Sequence, residues 1–271
     1  MLGLIPVHDQ NPTRTTPIVT WLLIAINFVV FVFFEPIAAP PLLGGGTTQA
    51  EACQELHFFR QWAAIPQELT SNDPLDATAG PPVSGGCRAV PATYTKVPVL
   101  SVLTAMFLHG SWLHLLGNML FLFVFGNNVE DRLGRARYLL FYLLCGYLAT
   151  YAFAFSDAHS TETLVGASGA IAGVLGAYLL LFPRARVTSL VPFLFFLPFQ
   201  LPAWIVLGSW FLLQYLYASG AGVAQETSVA YLAHVAGFIA GMVLVIAFGG
   251  LRARQPPAPP PPAWDPYRRP Y

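Results

Sequence analysis

Six apolar runs, each close to the length of a bilayer crossing, set the terms on which this chain can fold. They cover roughly 17–34, 99–126, 138–155, 165–182, 202–218 and 229–249. A helix needs about 20 mostly apolar residues to cross. In lipid the backbone must satisfy its own hydrogen bonds, which a helix does within a single segment. Only 10% of the residues are charged, against about 25% in soluble domains. The sequence therefore predicts an all-α membrane protein with six transmembrane helices. A formal net charge of zero argues against a nucleic-acid partner.

A further apolar stretch, 189–201, is interrupted by Pro192 and Pro198 and followed by Pro202. We read it as a membrane-hugging loop leading into the fifth helix, and the arginines support that choice. With the N-terminus in the cytoplasm and six crossings, the cytoplasmic side holds Arg14, Arg132, Arg135, Arg137, Arg184, Arg186, Arg252, Arg254, Arg268 and Arg269. The other side holds Arg60, Arg88 and Lys96, so ten of the thirteen basic residues lie inside. A seventh span would place the tail's arginines outside. Both termini are thus expected in the cytoplasm. The first run is long for a signal peptide, lacks a basic flank directly before it and has no clear Ala-x-Ala site, so it reads as an uncleaved span.

The expected organisation is a cytoplasmic N-terminal segment (1–16), a membrane domain (17–250) with a long extracytoplasmic first loop (35–98), and a Pro-rich tail (251–271) read as extended and disordered. The loop carries Phe58, Phe59, Trp62 and Leu69, enough apolar surface to lie on the membrane, with turns at Gly44-Gly45-Gly46 and Gly80-Pro81-Pro82. Cys53 and Cys87 both fall in it. In an oxidising compartment they can bridge, and spacing alone leaves both states open. Cys145 reads as a small core residue.

Polar residues intrude on three of the runs. His109, His114 and Asn118 lie in the second, Ser168 opens the fourth, and His234 lies in the sixth. Such residues are expensive at membrane depth and face the protein interior. With six crossings these three runs descend in the same direction, which puts Ser168, His234, His114 and Asn118 in the outer half of the membrane. At about 100° per residue, His114 and Asn118 share one face, about 40° apart, and His109 points about 140° away from His114. Gly166, Gly169, Gly173 and Gly176 fall within an arc of about 80°, and His234, Gly237 and Gly241 within about 60°. Small residues at such spacing let membrane helices approach closely. The fourth and sixth helices are therefore expected to meet, bringing imidazole to hydroxyl.

A serine hydroxyl is a weak nucleophile until a base takes its proton, and His234 is the residue placed to do so. Attack on an amide creates an oxyanion that needs preorganised donors. His114, Asn118 and the backbone N–H of Ser168 can supply them. No acidic residue lies in these outer-half segments, so the arrangement reads as a dyad rather than a triad. The plainer alternatives are weaker in combination. A lone membrane serine ordinarily bonds to its own helix, and glycine-rich helices by themselves mean packing. A metal site is disfavoured because His-Glu-x-x-His is absent and no carboxylate joins the histidines.

These residues resemble the rhomboid family of intramembrane serine proteases over roughly 99–249. His109-Gly-Ser-Trp-Leu-His114-Leu-Leu-Gly-Asn118 resembles the family's second-helix oxyanion segment. Gly166-Ala167-Ser168-Gly169 matches its Gly-x-Ser-Gly nucleophile motif, and Ala233-His234-Val235-Ala236-Gly237 resembles its catalytic-histidine segment. Gly126-x-x-x-Glu130-x-x-x-Gly134, with Arg132 inside it, resembles a structural turn on the cytoplasmic side. The resemblance implies a rhomboid-like six-helix bundle, a water-filled cavity opening outward, and cleavage of single-pass membrane proteins near their outer boundary. It also implies a fifth helix acting as a lateral gate, a cap near Ser219–Ser228, and no metal or nucleotide cofactor. A bacterial inner membrane fits the compact form. One departure stands out. Some members place a tyrosine four residues after the serine, stacked on the histidine, and that position here is Ala172. Two rivals remain: a catalytically inactive relative that binds membrane clients, and a proton-coupled transporter using His114 and His234.

Overall fold

The computed structural model describes residues 4–36, 48–192, 195–220 and 230–251. The tail, the Gly44-Gly45-Gly46 turn and most of the expected cap lie outside these residues. Each apolar run contains one main helix: α1 (Ile18–Phe33), α5 (Trp112–Leu133), α6 (Arg135–Ser156), α7 (Ser168–Leu181), α8 (Ala203–Ala218) and α9 (Tyr231–Ala247). At 22 residues each, α5 and α6 are long and apolar enough to cross a bilayer unaided. Helix α7 has 14 residues, a rise of about 21 Å, short of the ~30 Å hydrocarbon thickness. It is the innermost helix, buried without interruption from Ala170 to Tyr178. Its small and apolar residues face neighbours all round, which is why its run lacks a polar side.

The second run is two elements rather than one helix. Helix α4 (Pro98–Ala105) ends, the chain turns through Met106–Gly110, and α5 starts with Ser111 as its N-cap. Non-helical backbone persists at membrane depth only where protein surrounds it. Met106, Leu108 and His109 are accordingly buried. The fourth run also differs. The run begins at 165, but Ser168 is the first residue of α7, and Gly166 precedes the helix instead of joining its glycine stripe.

The expectation of an all-α fold is corrected by two small antiparallel sheets. Strands β1 (Ile5–Asp9), β4 (Arg186–Val191) and β5 (Leu197–Pro202) form one, in the order β1-β4-β5, with Ile5 opposite Leu190 and Arg186 opposite Pro202. The proline-broken stretch after α7 is thus a hairpin that folds back on itself. Val187, Ser189 and Val191 are buried at a period of two. Phe195, Phe196 and Leu197 stand exposed at its tip. The N-terminal segment is tied into the membrane domain through β1. Asp9 of that strand accepts hydrogen bonds from Tyr178 Oη on α7 and Asn128 Nδ2 on α5, both at 2.7 Å.

The first loop is folded. It holds α2 (Gln49–Trp62), α3 (Pro66–Ser71) and the hairpin of β2 (Ala77–Val83) with β3 (Gly86–Pro91). Thr48 and Glu51 form a reciprocal capping box at the start of α2. Cys53 and Cys87 are joined in a disulfide that ties α2 to β3, with Cα atoms 5.6 Å apart. Lys96 pairs with Glu68 at 2.6 Å and donates to the Arg60 carbonyl, a buried ion pair with further polar partners. Burial pulls the Lys96 amine below its ordinary range, and Glu68 partly offsets that. Trp62 is exposed. Phe59 and Leu69, in contrast, pack inward, Phe59 with Ala63 and Leu108, Leu69 with Ala64, Val102 and Ala154. The loop therefore buries apolar surface against the helices instead of spreading all of it on lipid.

The Gly126-x-x-x-Glu130-x-x-x-Gly134 turn has a physical reading at each fixed position. A Cβ on Gly126 would sit 2.8 Å from the Tyr138 hydroxyl and 3.1 Å from Thr20 Cγ2. Gly134 takes φ +81°, in the left-handed region that favours glycine, between α5 and α6. Glu130 is buried and accepts from the backbone N–H groups of Val19 and Thr20 and from the Thr20 hydroxyl. Pro17 offers α1 no side-chain cap, so the carboxylate of α5 satisfies donors that the start of α1 leaves open. Arg132 Nε donates to the Gly250 carbonyl, holding α5 to the far end of α9.

Candidate active site

The approach to Ser168 is fixed by two backbone partners before the helix begins. Leu164 and Ala64 exchange backbone hydrogen bonds at 2.7 and 3.2 Å, so the first loop grips the lead-in. Gly166 N–H donates to the Ala105 carbonyl at the end of α4, at 2.9 Å. Gly166 takes φ +118°, which side chains rarely adopt. Ser168 then opens α7 with the unsatisfied N–H groups of a helix N-terminus around it.

His234 lies in the first turn of α9, and its Nε2 is 2.8 Å from Ser168 Oγ. The glycines make this contact possible. A Cβ on Gly237 would overlap the Gly169 carbonyl, one on Gly241 the Gly173 backbone, and one on Gly176 the Phe238 carbonyl. Helices α7 and α9 thus meet backbone to backbone, as the small-residue spacing predicts.

On the other side of the serine, the Ser111 hydroxyl accepts from His114 N–H at 3.1 Å, capping α5 and setting His114 in its first turn. The His114 ring lies against Gly166, where a Cβ would stand 2.8 Å from both Cε1 and Nε2 and 3.7 Å from Asn118 Nδ2. Asn118 is buried, and its Nδ2 makes no hydrogen bond among the described residues. A buried amide donor without a partner is uncommon, and this one lies beside Gly166 and the start of α7. His109 is fully buried and meets the His114 ring edge-on, with centroids 5.0 Å apart. Its backbone N–H donates to both oxygens of Glu35, at 3.0 and 3.1 Å. Burial pushes the Glu35 carboxyl up to about 8, opposed by the His109 N–H and reinforced by Glu55.

The structure therefore brings Ser168, His234, His114, Asn118, His109 and Gly166 to one end of the bundle, with Gly169, Gly237 and Gly241 behind the contact. Glu130 and Arg132 are elsewhere: Glu130 follows His114 by sixteen residues along α5, about 24 Å away. Among the described residues no group of three His, Cys, Asp or Glu is placed to hold a metal.

The rhomboid domain model matches residues 98–250, more than half of the chain. This protein belongs to the rhomboid family. Its relatives include RHOMBOID-like protein 5 of Arabidopsis thaliana, 35% identical over 78 residues, which are 29% of this chain and 25% of that protein. The Bacillus subtilis rhomboid YdcA is 40% identical over 85 residues, 29% of this chain and 39% of its own. The mitochondrial Rhomboid protein 1 of Saccharomyces cerevisiae is 28% identical over 148 residues, 53% of this chain and 40% of its own. The chain thus matches about a quarter to two fifths of the length of these relatives. Rhomboids are helical integral membrane proteins, generally intramembrane serine proteases, though some members are inactive.

Within this rhomboid the histidine has neighbours that the motifs do not announce. Gln214 Oε1 of α8 is 2.7 Å from His234 Nδ1. One turn earlier, Trp210 stands 6.0 Å from the imidazole, tilted 35° to it. Tyr231 meets the same ring edge-on at 6.4 Å. Ala172 is buried within α7 and carries no ring. The aromatic neighbours come from the fifth and sixth apolar runs instead. A signal for Gln214 was present: it is the one amide in 203–218, a stretch with no Asp, Glu, Lys, Arg or His, and a polar group costly at that depth.

Proposed function

We propose that this rhomboid is an intramembrane serine endopeptidase that hydrolyses peptide bonds of single-pass transmembrane proteins with a Ser168–His234 dyad. The observation that carries the proposal is the 2.8 Å approach of Ser168 Oγ to His234 Nε2 at the start of two helices in contact. Ser168 Oγ attacks the scissile carbonyl carbon while its proton passes to His234 Nε2. The carbonyl oxygen becomes an oxyanion held by Asn118 Nδ2, the His114 ring and the Ser168 backbone N–H. The C–N bond then breaks, His234 returns the proton to the leaving amine, and Ser168 is left as an acyl ester. Water gives a proton to His234 Nε2 as it attacks the ester carbon; the C–Oγ bond then breaks, His234 passes that proton to Ser168 Oγ, and the new carboxyl end is released. No metal or cofactor enters this sequence.

The same proposal includes six crossings with both termini in the cytoplasm, supported by the arginine distribution. The dyad then lies toward the extracytoplasmic face, in keeping with a bacterial inner membrane. Purified protein in detergent is expected to cleave a model transmembrane substrate, and Ser168→Ala to abolish cleavage. Unchanged cleavage by Ser168→Ala would overturn the assignment. Client binding without cleavage would favour an inactive relative, and solute flux in liposomes a transporter.

A further inference from the structure

We infer that Gln214 of α8 is a positioning residue for the base: by holding Nδ1 of His234 it selects the tautomer able to take the serine proton, and so makes the dyad depend on the seating of α8. The inference rests on the Ser168–His234 proposal. A neutral imidazole carries one N–H and one lone pair. With the Gln214 carbonyl oxygen facing Nδ1 at 2.7 Å, the proton is favoured on Nδ1. Nε2 then turns its lone pair toward Ser168 Oγ. If Nδ1 lacked an acceptor, the proton could sit on Nε2, where it blocks the base. In a triad a carboxylate fills this position. Here a neutral amide fills it, with no charge to bury in lipid.

Two further observations place this task on α8. Trp210 is four residues before Gln214, on the same helical face, and flanks the same ring at 6.0 Å. One helix thus supplies both an acceptor and an aromatic wall, where Ala172 of α7 supplies neither. The buried residues of α8 are Ala203, Val206 and Leu207, all near its start. From Gly208 to its end, a stretch that carries Trp210 and Gln214, the helix has no buried residue. That stretch rests on α9 through ring contacts, Trp210 and Phe211 on Phe238 and Tyr217 on Tyr231, and through the polar tie to His234; a segment with no fully buried residue opens at lower free-energy cost than the core. A displacement of α8 that breaks the tie removes the acceptor from the base at the same moment. The groups around the imidazole are Ser168 from α7, Gln214 and Trp210 from α8, Tyr231 on its own helix, and His114, which acts on it electrostatically from α5.

The test is the rate at which a fluorophosphonate probe labels the purified full-length protein, measured against pH for wild type, Ser168→Ala, Gln214→Met and Gln214→Glu. Gln214→Met keeps the bulk and removes the acceptor; labelling is expected to slow about tenfold to a hundredfold, and substrate cleavage to lose kcat with KM unchanged. Gln214→Glu restores an acceptor and adds charge. It is expected to recover most of the rate and to move the acidic limb of the pH profile upward, since a carboxylate favours the imidazolium. Wild-type labelling of Gln214→Met with the same acidic limb would overturn the inference and leave the dyad standing. So would a slowing of Gln214→Met that Gln214→Glu neither rescues nor shifts in pH, since that marks a packing role alone. No labelling of wild type would overturn the dyad and this inference with it.

Discussion

Single polar residues in apolar surroundings carried most of what could be read about the site. Ser168 and His234 are legible because each is the costly exception in its run, and the structure puts them 2.8 Å apart. Asn118 is legible for the same reason, and its open amide donor sharpens its proposed part. Asn118→Ala is expected to lower kcat by about 10²–10³, the usual loss for one oxyanion donor, with little change in KM. Steady-state cleavage in detergent checks this, and an unchanged kcat would remove Asn118 from the oxyanion site. Gln214 carries an equally strong signal, but it appears only when a run without a histidine is held to the same standard. Trp210 is not legible at all, because a tryptophan in an apolar helix is ordinary until a ring is found beside it.

At the level of elements, periodicity locates helices well and their ends poorly. The glycine spacing in α7 and α9 correctly brings the two helices together, because a missing Cβ has the same consequence wherever the rest of the chain goes. Gly241→Val is therefore expected to push α9 off α7, costing about 1–3 kcal/mol of stability by overpacking and sharply reducing probe labelling of Ser168. Thermal unfolding and labelling of one preparation test both, and wild-type labelling would show that the close approach is dispensable. The break between α4 and α5 is hidden because Met106, Phe107 and Leu108 continue the apolar run without a gap. Only Gly110-Ser111, a turn residue followed by an N-cap, marks it. The β1-β4-β5 sheet is hidden for another reason. Ile5 finds its partner at Leu190, and no local window holds both halves of such a pair.

Across the whole molecule, the first loop and the membrane helices act on the site together. The loop is cross-linked by Cys53–Cys87, bridged through Ala64 to the lead-in of Ser168, and linked at Glu35 to the backbone of His109. Burial raises Glu35 from an ordinary value of 4.5 to about 8. A carboxyl raised on folding contributes stability that is full below its unfolded value and is lost as pH climbs through the folded one. The thermal midpoint is therefore expected to fall between about pH 4.5 and pH 8, and Glu35→Gln to remove that part of the slope. An identical slope in the variant would contradict a buried, neutral Glu35. Such couplings between distant segments lie beyond what the order of residues displays.

Whether Ser168 at the start of α7 is activated by His234 is decided by mapping the site of fluorophosphonate attachment with peptide mass spectrometry. An adduct is expected on Ser168 in the wild-type protein, lost in Ser168→Ala and strongly reduced in His234→Ala. An unmodified Ser168, or an adduct formed at the wild-type rate without His234, would contradict it.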